Sequence, residues 1–293
     1  MKPHRKAFRL SLRSRTLELG TRTLVMGVLN VTPDSFSDGG KFFTTADAAK
    51  AALAMQKAGA DLLDIGAEST RPGSTGISAE EELERLLPVL RGLRGRLKIP
   101  ISIDTQKASV AEAAIGAGAE VLNDISGLKR DPKIAEVAAR FGVPVVLMHM
   151  RGTPRTMQRK PWAKDVMKDV SRGLRESVAI ARRAGVRKSQ IILDPGIGFG
   201  KSFEQNYELL AKLPALAKLG YPLLVGTSRK GFLGATLVPH GKPLPAGERI
   251  WGTAATVAAS ILQGAHIVRV HDVEEMVQVA KVADRVLKSS LSK

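Results

Sequence analysis

The fold this sequence predicts is α/β: a (β/α)8 or TIM barrel with an N-terminal β-hairpin. Three observations predict it. Short runs rich in β-branched residues alternate eight times with alanine-rich stretches of helical period. The chain, at 293 residues, is a little over the ~250 usual for such a barrel. And each of the eight runs closes on a polar or ionisable residue, at the end of a strand where a barrel keeps its chemistry. An open doubly wound sheet is the competing architecture.

Taken in order, Phe8-Arg9-Leu10-Ser11-Leu12-Arg13 alternates strictly and reads as a strand with one buried face. The first 20 residues are expected to form a hairpin closing the N-terminal mouth of the barrel. Strands follow at 23–30, 61–67, 100–105, 121–126, 144–150, 191–196, 222–228 and 267–272. Helices fall between them at 46–58, 79–94, 109–117, 133–141, 166–184, 204–219 and 247–262, and a last one runs from 273 to about 289. Gly59, Gly118, Gly185 and Gly220 close several of these, as a helix C-terminus favours. Neither linker composition nor a charge-block boundary interrupts the chain. It reads as one domain, 1–293, with the hairpin at 1–20 and the barrel at 23–290.

Composition narrows the class. With 44% hydrophobic and 25% charged residues the chain is neither disordered nor fibrous. A chain of this length buries roughly 75% of its unfolded surface and needs no disulfide; it contains no cysteine, which fits a reducing cytoplasm. The basic N-terminus is not followed by the apolar stretch of a signal peptide, and no apolar run is long enough for a membrane span. The expectation is a soluble cytoplasmic protein with no membrane partner.

The formal charge is +17. Seven Lys and Arg against Glu18 lie in residues 1–22, and twelve against Asp165, Asp169 and Glu176 lie in 151–190, so these two segments hold +15 of it. Single-strand binders interleave aromatics with cations, and the second cluster holds only Trp162. The charge reads as solvated surface, with no nucleic-acid partner.

The strands end in Asn30, Asp64 with Glu68, Asp104, Asn123 with Asp124, His149, Asp194, Ser228, and Arg269 with His271. One such residue is ordinarily a helix N-cap, and Thr105 and Asp131 read that way. Eight in eight point to a polar, ligand-filled mouth. Two long loops rich in Gly, Pro, Ser and Thr, at 31–40 and 69–76, are candidate lids. Asp64 and Glu68 admit two readings, a part in the site or a hold on the second loop. His149 reads as a packed strand-end histidine, and Asp124 as an anchor for the fourth loop.

Asn30-Val31-Thr32-Pro33-Asp34-Ser35-Phe36-Ser37-Asp38-Gly39-Gly40 and Asp64-Ile65-Gly66-Ala67-Glu68-Ser69-Thr70-Arg71-Pro72-Gly73 resemble the two signatures of the dihydropteroate synthase family of pterin-binding barrels. Ile103-Asp104-Thr105, Asn123-Asp124-Ile125-Ser126-Gly127, Met148-His149-Met150, Asp194-Pro195-Gly196-Ile197-Gly198-Phe199-Gly200-Lys201, Ser228-Arg229-Lys230 and Arg269-Val270-His271-Asp272 follow in the family's order. The resemblance implies a Mg2+-dependent transferase of folate biosynthesis. It would condense 7,8-dihydropterin-6-ylmethyl diphosphate with 4-aminobenzoate to 7,8-dihydropteroate, releasing diphosphate.

The resemblance also implies roles. Asp104, Asn123, Met148, Asp194 and Lys230 would form the pterin site. Phe36, Thr70, Arg71, Pro72, Phe199 and Ser228 would surround the aminobenzoate, with the helix that starts at Ser228 near its carboxylate. Asn30, Arg269 and His271 would hold the diphosphate, and Asn30 and Asp38 the magnesium. Catalysis would rest on Asp104, Asp194, Lys230, Arg269 and His271. Arg269 and His271, two apart on one strand, face the same side and can grip phosphate together. Family members often carry Ser after the lysine; here it is Gly231. A homodimer is expected. The alternative on the same fold is a methyltetrahydrofolate-binding corrinoid methyltransferase, which needs no diphosphate grip.

Overall fold

The structure, a computed structural model, describes residues 5–32, 44–238 and 240–289. It opens with an antiparallel hairpin, β1 (Phe8–Ser11) and β2 (Thr16–Leu19). Eight parallel strands follow: β3 (Leu24–Asn30), β4 (Leu62–Gly66), β5 (Ile101–Asp104), β6 (Val121–Asp124), β7 (Val145–Met148), β8 (Ile191–Asp194), β9 (Leu224–Val225) and β10 (Ile267–Val270). Their order is β8-β7-β6-β5-β4-β3-β10-β9. A parallel bridge between Leu193 and Leu223 joins the two ends and closes the barrel.

Helices α1 (Thr45–Lys57), α2 (Ala79–Leu93), α3 (Ala108–Gly116), α4 (Lys133–Phe141) and α5 (Val166–Arg183) form the first part of the outer ring. It continues through α6 (Phe203–Ala211), α7 (Leu213–Ala217), α8 (Gly231–Leu237), α9 (Ile250–Leu262) and α10 (Val273–Ser289). The helices start where their caps dictate. Thr44 and Ser202 close capping boxes, and Ser78 and Asp165 each accept from a first-turn N–H. Asp131 serves two helices, accepting from Ala108 N at the head of α3 and Lys133 N at the head of α4.

Three departures from the sequence pattern have local causes. The helix expected at 204–219 is broken at Lys212, because Pro214 in the first turn of α7 cannot continue the α6 ladder. The helix expected from 247 begins at Ile250, after a 3-10 turn at Ala246–Glu248. The seventh barrel strand is cut to Leu224–Val225, since the chain turns at once, Lys230 N donating to Thr227 O.

Leu10 and Leu19 of the hairpin pack with Leu24, Met26, Leu62, Val121, Val146, Ile192, Leu224 and Ile267, the interior residues nearest the strand N-termini. The hairpin therefore plugs that mouth, and each buried leucine contributes about 1.5–3 kcal/mol. Arg5 fastens the plug, donating to Asp284 on α10, to Thr23 Oγ1 and to the Ala265 carbonyl. Among the described residues, no helix is long and apolar enough to cross a membrane.

Candidate active site

Every second side chain of a strand faces the same way. Two positions beyond the apolar interior residues Leu62, Val121, Val146, Ile192 and Ile267 stand Asp64, Asn123, Met148, Asp194 and Arg269. Asp104 of β5 lies opposite Gly66 of β4, where a Cβ would meet its own Cβ at 3.4 Å. The C-terminal half of the barrel is thus a polar layer resting on an apolar one.

Arg269 organises that layer. Its Nε donates to Asp64 Oδ2 at 2.7 Å and its Nη2 to Asp104 Oδ2 at 2.9 Å. Asn123 Nδ2 donates to the same Asp64 oxygen at 2.9 Å. Asp64 is fully buried, and its Oδ1 has no hydrogen-bond partner among the described residues. A guanidinium has five N–H groups, so these two bonds leave three of Arg269 unused.

Burial sets the protonation of this layer. It raises Asp104 to about 7, with Arg269 pulling down and the Asp64 charge pushing up. It raises Asp194 to about 6, although Gly196 N donates to Oδ1 at 2.7 Å and Lys230 and Lys201 are near. Burial lowers Lys230 to about 8, helped by Arg269. Burial also takes His271 down to about 3, reinforced by Arg269, Arg229 and Lys230. That histidine is neutral at physiological pH; its Nδ1 lies 3.0 Å from Ser228 Oγ, which also accepts from His271 N at 3.1 Å. For Arg269 burial works downward, but Asp64 and Asp104 outweigh it and keep it charged.

Around this centre, Met148 is buried on β7, and Lys230 Nζ stands 3.9 Å from the centre of the Phe199 ring. Arg229 adopts φ +60°, rare for a side chain of its size. Its guanidinium is paired with Asp272 and its N–H bonded to Thr253 Oγ1. The helix expected from Ser228 begins at Gly231 and has seven residues, so Ser228 faces His271 instead of capping it. Thr70, Arg71 and Pro72 lie on the loop after β4, Arg71 and Pro72 exposed. That loop is tied to the one after β7 by Gly73 N donating to Pro154 O at 3.0 Å. Asn30 ends β3 beside Gly66. Phe36 and Asp38 lie outside the described residues.

The strand-end residues with two readings now separate. Asp64 lies in the polar layer, bonded to Arg269 and Asn123. Glu68 holds its loop, accepting from Ile77 N and pairing with Lys107, which also pairs with Glu82. Asp124 accepts from Ser126 N and Leu128 N and anchors the fourth loop. His149 points outward against Gly173 of α5, 3.6 Å from Asp169.

The profile of the pterin binding enzyme family matches residues 26–271. A dihydropteroate synthase of Synechocystis sp. is 52% identical over 265 residues, 90% of either chain. This chain belongs to the dihydropteroate synthase family. Among solved structures, a Yersinia pestis dihydropteroate synthase in complex with a sulfonamide drug superimposes with a TM-score of 0.89 at 43% identity, covering 96% of this chain and 100% of the other. A Xanthomonas albilineans dihydropteroate synthase with 4-aminobenzoic acid gives 0.87 at 42% identity, covering 96% and 98%. Dihydropteroate synthases are transferases of folate synthesis. The (β/α)8 frame and hairpin expected from the sequence are those of this family.

Proposed function

We propose that the polar layer of the barrel binds the pterin of 7,8-dihydropterin-6-ylmethyl diphosphate, and that Arg269 and His271 receive the diphosphate when 4-aminobenzoate displaces it. The observation that carries this reading is the convergence of Asp104, Asn123 and Asp194 from three strands on one interior, with Arg269 and Lys230 set among them. A pterin presents an amino group and a ring N–H side by side. The Asp194 carboxylate can accept from both, while Asp104 and Asn123 match the remaining ring nitrogens. Such a pocket rejects rings without those donors, because its buried acceptors would go unpaired.

Bond breaking at the pterin methylene places growing negative charge on the departing diphosphate. Fixed donors aimed at that charge supply the largest catalytic contribution. Arg269 offers its three further N–H groups. His271 is neutral, and in the tautomer whose Nδ1 accepts a hydrogen bond from the Ser228 hydroxyl its Nε2–H is the donor offered to the anion. Lys230 covers the pterin oxygen and N5 and, with Phe199, divides the two substrates. The arylamine is neutral near pH 7, so no general base is needed to start its attack; we favour departure of diphosphate first, leaving a delocalised pterin cation to which the arylamine nitrogen bonds, its surplus N–H proton then passing to solvent.

Phe199, Thr70, Arg71, Pro72, Phe36 and Ser228 are proposed to surround 4-aminobenzoate, the compound bound by the Xanthomonas protein. For magnesium, the donor chemistry of Asn30 suits the ion: an amide oxygen at the mouth, of the one or two protein ligands that Mg2+ takes alongside phosphate and water. Asp38 would be the second. When bound, the ion neutralises diphosphate charge. We further propose a cytoplasmic homodimer; Trp251 on α9, 78% exposed, suits a covered position, and sedimentation velocity measures the assembly.

The deciding experiment mixes the purified protein with pterin diphosphate, 4-aminobenzoate and Mg2+ and follows diphosphate. Release should require the arylamine and collapse in Asp194→Ala and Arg269→Ala. A protein inert under those conditions, or one that transfers a methyl group from methyltetrahydrofolate instead, overturns the reading.

A further inference from the structure

Lys201 is buried, 3% exposed, and its ammonium meets backbone carbonyls instead of a carboxylate. Nζ donates to His149 O at 3.1 Å, Gly196 O at 2.8 Å and Phe199 O at 2.9 Å. An ammonium has three N–H groups, so all are spent and none is left for a substrate. The three acceptors come from two segments, the end of β7 and the loop after β8. These are pressed together: at Gly196, φ +67°, a Cβ would sit 1.9 Å from His149 O.

The loop has other ties, but they are unevenly placed. Gly196 N is held by Asp194 Oδ1 at 2.7 Å, and Gly198 N by Asn206 Oδ1 at 2.6 Å. Among the described residues the Phe199 carbonyl is held by Lys201 alone. Its ring is the one that Lys230 covers. Losing the ammonium therefore releases the Phe199 carbonyl, leaving Phe199 its N–H bond to Gly196 O at 3.1 Å, while the Asp194 end of the loop stays tied.

We propose that Lys201 is a positioning residue for the second substrate: it fixes the backbone of Phe199, and through it the wall of the 4-aminobenzoate slot, without touching either substrate. The inference rests on the reading that Phe199 walls that slot. A KM for 4-aminobenzoate that rises more than the KM for pterin diphosphate in Phe199→Ala tests the wall itself.

Lys201→Met then tests the tie. Its KM for 4-aminobenzoate should rise roughly tenfold, as loss of a positioned contact does, while the KM for pterin diphosphate stays within about twofold. In the Phe199→Ala background Lys201→Met should add almost nothing, because both changes act through one wall. Equal losses for both substrates, or a full multiplicative loss in that background, would overturn the proposal. Should Lys201→Met fail to fold, Lys201→Gln, which keeps an N–H donor, is put through the same comparison and should show a smaller rise confined to the arylamine.

Discussion

Arg269 and Asp64 meet inside the barrel across an intervening strand: β10 and β4 flank β3, and Nε of the arginine lies 2.7 Å from an oxygen of the fully buried carboxylate. Removing one partner of a buried pair leaves the other charge uncompensated, which costs about 3–5 kcal/mol. Arg269→Ala should accordingly lower Tm by roughly 10 °C, besides losing about 10²–10³-fold in kcat. Arg269→Lys keeps the charge but cannot span Asp64 and Asp104 with a fork. It should recover much of the stability and little of the activity. Thermal melts beside steady-state rates separate the two; a lysine variant with wild-type turnover would show that the fork has no catalytic part.

Two carboxylates of the site titrate near neutrality. Burial holds Asp104 at about 7 and Asp194 at about 6, and both must be ionised to accept hydrogen bonds from a pterin. The kcat/KM for pterin diphosphate should therefore fall as pH drops below 7 and steepen toward two protons below 6. His271, driven to about 3, contributes nothing over that range. In Asp104→Asn the upper step should vanish from whatever activity remains. A profile flat down to pH 5 would contradict the assignment.

The sequence makes part of this site legible and hides the rest for physical reasons. Asn123, Asp194 and Arg269 can be read because a strand's period of two forces them onto the face of the apolar residues that precede them, while Asp104, two places after the buried Ser102, is read from its position at the strand end. Asp64 lies on the same face, yet its part depends on a partner 205 positions away, and no local pattern points to Arg269. Lys201 sits in a glycine-rich run whose sequence says nothing of the three carbonyls its ammonium closes on, because one of them comes from His149, 52 positions away. The missed break at Lys212 was a local matter, since Pro214 alone implies it. Ser228 shows the converse: a good capping residue taken up by the histidine that follows the last strand, β10.

Asp194 also sets function against stability. Its pKa is raised on folding, from 3.8 to about 6, so the folded chain binds more protons than the unfolded one between those values. Stability therefore declines as pH rises through that window, and the ionised group costs on the order of 3 kcal/mol above it. Asp194→Asn keeps an oxygen to accept from Gly196 N. It should melt roughly 5–10 °C above wild type at pH 8, with the gain shrinking between pH 6 and 4, and should bind pterin poorly. A less stable asparagine variant at pH 8 would show that the carboxylate is better compensated than its burial implies.

At the opposite mouth, stability and activity should come apart. Arg5 and Asp284 are buried partners at 2.8 Å, and Thr23 donates to both Asp284 oxygens, at 2.6 and 2.8 Å. Arg5→Ala removes the cation but leaves those two donors, so the loss should be about 2–4 kcal/mol, at or below the usual cost of breaking a buried pair. Leu10→Ala, which empties part of the plug, should cost about 2–5 kcal/mol. Because the plug meets the strand N-termini and the polar layer lies two positions further along, neither variant should change KM for either substrate by more than about twofold. Urea denaturation should show lowered midpoints at an unchanged slope. A raised KM at wild-type folded fraction would mean that the hairpin governs the geometry of the mouth as well as the stability of the barrel.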